Sequence, residues 1–171
     1  MIKQPVFSPF FFPRALRCFF VLLLLSCSQE QTILLKARVT GVKDGDTIEL
    51  LREHKTFTVR LAHIDCPEKN QPFGTRARQF TSALCFGQTV QILPTGEKDR
   101  WGRMIAEIIN EKGDTINREL VKAGLAWFFS RYSSNPSYAA LEKTARLQKT
   151  GLWSQPDPVA PWEWRNKKRR Q

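Results

Sequence analysis

Downstream of residue 32 the chain alternates apolar and polar positions in short runs, the pattern of half-buried strands. Residues 33–42 form the first run, which ends at Lys43-Asp44-Gly45. Residues 47–51 form the second, turning at Arg52-Glu53-His54-Lys55. In the third, Phe57, Val59 and Leu61 share one face while Thr58, Arg60 and Ala62 share the other, and the strand region closes at Ile64. The period then changes: Phe73, Ala77, Phe80 and Leu84 follow helical spacing, with Gly87 as the stop. Residues 89–93 and 104–109 read as two further strands, and 115–123 as a short helix closed by Gly124. Asn135-Pro136 is a cap and first turn for a last helix running to Lys149 and closed by Gly151. One helix between the third and fourth of five strands, with the others at the end, predicts an α+β fold: a five-stranded OB-type β-barrel with three helices.

Residues 1–27 break this pattern. Lys3, Arg14 and Arg17 lead into the apolar run 18–25, which ends at Ser26-Cys27. The run is well short of the ~20 apolar residues a membrane-spanning helix needs, so a signal peptide is expected. Leu24-Leu25-Ser26-Cys27 resembles a bacterial lipobox, which would make Cys27 the acylated N-terminus; ordinary cleavage nearby is the alternative. The expected organisation is a lipoprotein-type signal peptide over 1–27, a tether over 28–32, one domain over 33–154 and a basic tail with Pro and Trp over 155–171. The expected location is outside the cytoplasm, lipid-anchored in the cell envelope (periplasmic or outer membrane) or otherwise secreted.

The 171 residues carry a formal charge of +11. Of the 27 bases three lie in residues 1–27 and none of the 16 acids does, so the remainder keeps an excess of eight. A polyanionic partner follows, nucleic acid or an acidic membrane. The tail residues Trp162-Glu163-Trp164-Arg165 and the basic run after them mix aromatics with cations, as single-strand binders do; a solubilising tail is the other reading. Beyond Cys27 only Cys66 and Cys85 remain, either two buried thiols or a disulfide, and neither has zinc-site spacing.

Against that background four segments stand out. Asp44-Gly45-Asp46-Thr47 reads as a hairpin whose glycine supplies a positive φ, with Asp46 at the start of the next strand. Lys55 stands twelfth from Asp44, where an EF-hand needs a glutamate, so this is no EF-hand. Asp65-Cys66-Pro67-Glu68 follows the third strand, and Pro67 makes it a stiff corner with two acids. Arg60 and the segment Asp99-Arg100-Trp101-Gly102-Arg103 complete the set. Three carboxylates and two guanidiniums are the parts needed to hold a hard cation, activate a water and neutralise a phosphate, which a fork of guanidinium donors matches in shape and sign.

In this order the segments resemble the thermonuclease family, the staphylococcal nuclease-like enzymes. Asn117-Arg118-Glu119-Leu120-Val121, Gly124-Leu125-Ala126 and Gly151-Leu152-Trp153-Ser154 extend the likeness over roughly residues 33–154. The resemblance implies a Ca2+-dependent nuclease acting on DNA and RNA with low sequence specificity, monomeric, and leaving 3′-phosphate ends. It implies Asp46, Asp65 and the backbone carbonyl of Cys66 as calcium ligands, and Glu68 as the residue that orients or deprotonates the attacking water. It implies Arg60 and Arg103 at the scissile phosphate, and Trp101 and Tyr132 near the nucleotide. The chain departs from the family in places. The loop after Glu68 is short, Trp101 and Ser130 stand where tyrosines occur, and Cys66 replaces a hydroxyl residue. Trp101 can stack on a base but offers no phenol oxygen, so an altered preference between chain ends and interior sites is expected. The alternative is an OB-fold lipoprotein that grips nucleic acid without cutting it. His54 and His63 are expected to be framework residues.

Overall fold

The computed structural model describes residues 35–96 and 98–170. The expected signal peptide, the lipidation residue Cys27 and the tether lie outside them. In chain order the elements are β1 (Leu35–Asp44), β2 (Thr47–Arg52), β3 (Lys55–Leu61), β4 (Ile64–Asp65), α1 (Gly74–Cys85), β5 (Thr89–Pro94), β6 (Met104–Ile109), α2 (Ile116–Lys122), β7 (Trp127–Phe128), α3 (Pro136–Leu147), a 3-10 turn (Gly151–Ser154) and α4 (Pro161–Arg169).

Five strands close into a barrel in the order β1-β2-β3-β6-β5, as expected of an OB-type fold. β1 serves two neighbours: Leu35 to Arg38 pair with β5, and Arg38 to Asp44 pair with β2. Register slips after Val39 and after Val42 coil this strand, which lets it turn from one neighbour to the other. Alternation places Val39, Ile48, Leu50, Val59, Leu61, Val90, Ile92 and Ile108 inside, each at most 1% exposed. Burying a side chain of this kind stabilises by roughly 1.5–3 kcal/mol.

The β3–β6 seam is parallel. Beyond it the fully buried Asn117 of α2 donates to the carbonyls of Ala62 (3.0 Å) and Ala106 (3.1 Å), and it accepts from the amide of Ile108 (3.0 Å). One amide side chain thus satisfies backbone groups of β6 and of the residue that follows β3, and ties α2 to the barrel. α1 lies against β1, and Thr81 Oγ1 donates to the Gly45 carbonyl at 2.6 Å.

Residues 155–171, expected to add no element, instead contribute a fourth helix. Pro161 occupies its first turn, where a missing N–H costs nothing, and Lys167, Lys168 and Arg169 lie in its last turn, where cations suit the helix dipole. A ladder of rings docks it: Trp153 against Trp127 (centroids 4.5 Å), Trp127 against Trp162 (5.6 Å), and Trp162 stacked on Phe129 (5.3 Å, 9° between planes). Gln71 Nε2 donates to the Val159 carbonyl at 2.6 Å just before the helix. The short strands β4 and β7, which pair with each other, were also not foreseen from the sequence pattern. Cys66 and Cys85 are separate buried thiols, so the disulfide alternative does not apply.

Candidate active site

The β1–β2 turn presents Asp44 and Asp46. Gly45 does not take the positive φ expected of a hairpin glycine. It is needed for room: a Cβ there would lie 2.8 Å from the Cβ atoms of both Ala77 and Cys66. With the turn pressed against α1 and the Cys66 corner, Asp46 points inward and is 5% exposed. Its Oδ1 accepts from Thr47 Oγ1 (3.2 Å), and its Oδ2 accepts from the Cys66 amide (2.6 Å).

Asp65 is 1% exposed on β4, where pairing with Trp127 of β7 fixes its backbone. Pro67 turns the chain, and Gly74 at the start of α1 sits directly on the corner, since a Cβ there would stand 1.9 Å from the Glu68 carbonyl oxygen. Gln71 Oε1 accepts from the Glu68 amide (3.1 Å), so the corner is held from two sides. Arg60, projecting from the outer face of β3, bridges the aspartates: Nη1 to Asp46 Oδ2 and Nη2 to Asp65 Oδ1, both 2.7 Å.

Arg103 leaves the turn that Gly102 closes with φ 77°. Asp99 clamps it, accepting from the Arg103 amide (2.9 Å), the Trp101 amide (3.0 Å) and Arg103 Nε (2.7 Å). Arg103 Nη1 then reaches Thr47 Oγ1 at 3.4 Å. Trp101 is 65% exposed, with the guanidiniums of Arg100 (4.1 Å) and Arg103 (4.9 Å) over its ring. Tyr132 is also exposed, its ring 4.9 Å from that of Phe129. Both aromatics are therefore open to a stacking partner.

Sequence reasoning missed Arg165. Held by α4, its Nη2 pairs with Asp65 Oδ2 (2.8 Å), while Nη1 pairs with Glu68 Oε1 (2.6 Å) and lies 3.3 Å from Asp65 Oδ1. One line of polar contacts then runs Arg103, Thr47, Asp46, Arg60, Asp65, Arg165, Glu68. The clue available in the sequence was the helical spacing of Trp162 and Arg165 after Pro161.

Burial pushes the Asp46 carboxyl up to about 8, helped by Asp44 and Asp65 and opposed by Arg60 and the Cys66 amide. Burial pulls the Arg60 guanidinium down, but Asp46 and Asp65 outweigh it and the net shift is upward. Arg165 behaves alike, the hydrogen bonds it donates to Asp65 and Glu68 overcoming burial. The Cys66 thiol is pushed well up, chiefly by burial, and stays neutral. Among the described residues no three His, Cys, Asp or Glu side chains are disposed to hold a metal ion as they stand. Guanidiniums are interleaved between the carboxylates, Arg60 between Asp46 and Asp65 and Arg165 between Asp65 and Glu68. The donor set nevertheless fits a hard cation: two buried aspartates share one cationic partner, and the soft thiol beside them is protonated.

The family described as "Staphylococcal nuclease homologue" matches residues 58–155, which span β3 to the 3-10 turn. The chain belongs to this family. A micrococcal nuclease of Shigella flexneri is 43% identical over 141 residues, covering 76% of this chain and 80% of the relative. An uncharacterized endonuclease of Escherichia coli O157:H7 is 41% identical over 131 residues (77% and 85%), and one of Haemophilus influenzae is 37% identical over 147 residues (85% and 80%). The chain is accordingly a nuclease, a hydrolase whose substrates are nucleic acids.

Proposed function

We propose that this staphylococcal nuclease homologue is a calcium-dependent enzyme that hydrolyses DNA and RNA with low sequence specificity and leaves 3′-phosphate ends. The observation that supports it most is the unbroken polar line from Arg103 to Glu68, which brings acids and guanidiniums from five separate segments to one place. Asp46, Asp65 and the Cys66 carbonyl would hold the cation. When bound, it would polarise the phosphodiester and offset the repulsion between phosphate and carboxylates.

The protein's own groups supply the rest. Glu68 takes a proton from a water, and the water oxygen forms the new bond to phosphorus. The bond from phosphorus to the 5′ oxygen breaks, that oxygen takes its proton from solvent, and the phosphate stays on the 3′ side. Negative charge grows on the phosphoryl oxygens during this step. Arg103, pre-set by Asp99, and Arg60, once released from the aspartates, meet that charge with forked donors. Trp101 and Tyr132 offer exposed rings on which bases stack without reading sequence.

The deciding experiment is a digest of DNA and of RNA with calcium and with chelator, followed by end-group analysis. Calcium-dependent cleavage to 3′-phosphates is expected. Arg103→Ala should lower kcat by about 100-fold, equivalent to ~3 kcal/mol at the transition state, and Glu68→Gln should lose most activity. Undiminished cleavage in both variants, or in chelator, would refute the assignment.

A further inference from the structure

Arg165 plays no part in the chemistry just described, yet it forms ion pairs with two of the carboxylates that chemistry needs. Its placement does not rest on those ion pairs alone. Trp162, one helical turn earlier, is stacked on Phe129 and packed on Trp127, and the Val159 carbonyl is held by Gln71. The fold thus delivers a guanidinium to Asp65 and Glu68 through packing that is independent of their charge. There, both oxygens of Asp65 face Arg165, and one of them also faces Arg60.

A divalent cation on Asp65 needs the same lone pairs, and it would repel a guanidinium lying against them. We propose that Arg165 is a positioning residue of the active site that stands in for the cation, holding Asp65 and Glu68 in the cation-free enzyme and giving up Asp65 when the cation binds. The inference rests on the assignment of Asp65 as a cation ligand. Binding of the cation and engagement of Arg165 are then coupled, and the coupling is reciprocal: whatever Arg165 contributes to the closed state, the cation must overcome. Engagement of Arg165 also ties up the carboxylate of Glu68, so the same displacement frees the proposed proton acceptor. A C-terminal helix would in this way keep the hydrolytic groups paired until the cation is present.

Calcium is titrated into the purified protein by calorimetry, without substrate, for the wild type, Arg165→Gln and Arg165→Lys. Arg165→Gln is expected to bind calcium on the order of tenfold more tightly, because the competing charge is gone. Arg165→Lys should fall between the two, since an ammonium keeps the charge and loses the fork. In the wild type, amide exchange over residues 161–169 should quicken when calcium is added. Equal or weaker calcium binding by Arg165→Gln, with normal binding by the wild type, overturns the coupling and leaves the nuclease assignment standing. Failure of both the wild type and Arg165→Gln to bind calcium overturns the cation-ligand assignment and the coupling together.

Discussion

At Gly45 and Gly74 a missing side chain lets backbone segments meet, and the acids come with them. Gly45 allows the Asp44–Asp46 turn to press on Cys66 and Ala77, while Gly74 allows α1 to start on the Glu68 carbonyl. Asp99 works by charge instead. Burial pushes its carboxyl upward, but the Arg103 and Trp101 amides and the Arg103 side chain outweigh that, so its folded-state pKa lies below the ordinary 3.8. The folded protein thus holds this carboxylate ionised more firmly than the unfolded chain does. Its contribution is complete above that ordinary value and is lost as pH falls through the folded-state value. Asp99→Asn should therefore be less stable than wild type near neutrality in urea denaturation, with the gap closing in acid. A gap of constant size from pH 7 to pH 3 would contradict this.

Among the elements, α4 depends most on a single contact. Its N-terminal turn is favoured by Pro161, but it is nine residues long, too short for a helix to hold in water without tertiary packing. Trp162 supplies that packing through Phe129 and Trp127. Full deletion of a buried tryptophan side chain costs roughly 3–5 kcal/mol, and Trp162 is only half-buried, so Trp162→Ala should cost about 2 kcal/mol, borne by this helix. The expected result is at least tenfold faster amide exchange over residues 161–169 with unchanged protection in the barrel strands. Release of Arg165 with the helix should also tighten calcium binding as Arg165→Gln does. Uniform loss of protection across the barrel would instead show that α4 is part of the cooperative core. α2 is held differently, by Asn117 at the end of the parallel seam, where loss of the amide would remove the partner of the Ala62 carbonyl, just past β3, and of the Ile108 amide on β6.

For the whole molecule, the excess of eight positive charges outside residues 1–27 suits a polyanionic substrate, and the bases 167–170 at the end of α4 are exposed to meet one. We propose that the protein is exported and anchored through a lipid on Cys27, on the strength of the basic leader, the apolar run and the lipobox-like end. Expressed in a bacterium, the wild type should take up labelled fatty acid and sediment with membranes, and Cys27→Ala should do neither; equal behaviour of the two would exclude the anchor. How much of this was legible varied with the range of the interaction involved. Apolar alternation and glycine or proline punctuation are local, so the five barrel strands and the first three helices could be placed within a few residues, and the family likeness singled out Asp46, Arg60, Asp65, Glu68 and Arg103. β4 and β7 are too short to show a period, and their pairing joins residues more than sixty positions apart. The role of Gly45 was misread because its constraint comes from α1 and Cys66, not from its own turn. Arg165 lay in a segment whose composition resembles a solvated tail. Only the aromatic ladder from Trp153 to Phe129, assembled by distant parts of the chain, makes that segment a helix and sets a guanidinium between Asp65 and Glu68. The sequence by itself determined which strands and chemical groups the protein has; tertiary packing decided which charges face one another, because ion pairing depends on distances in space that no local pattern encodes.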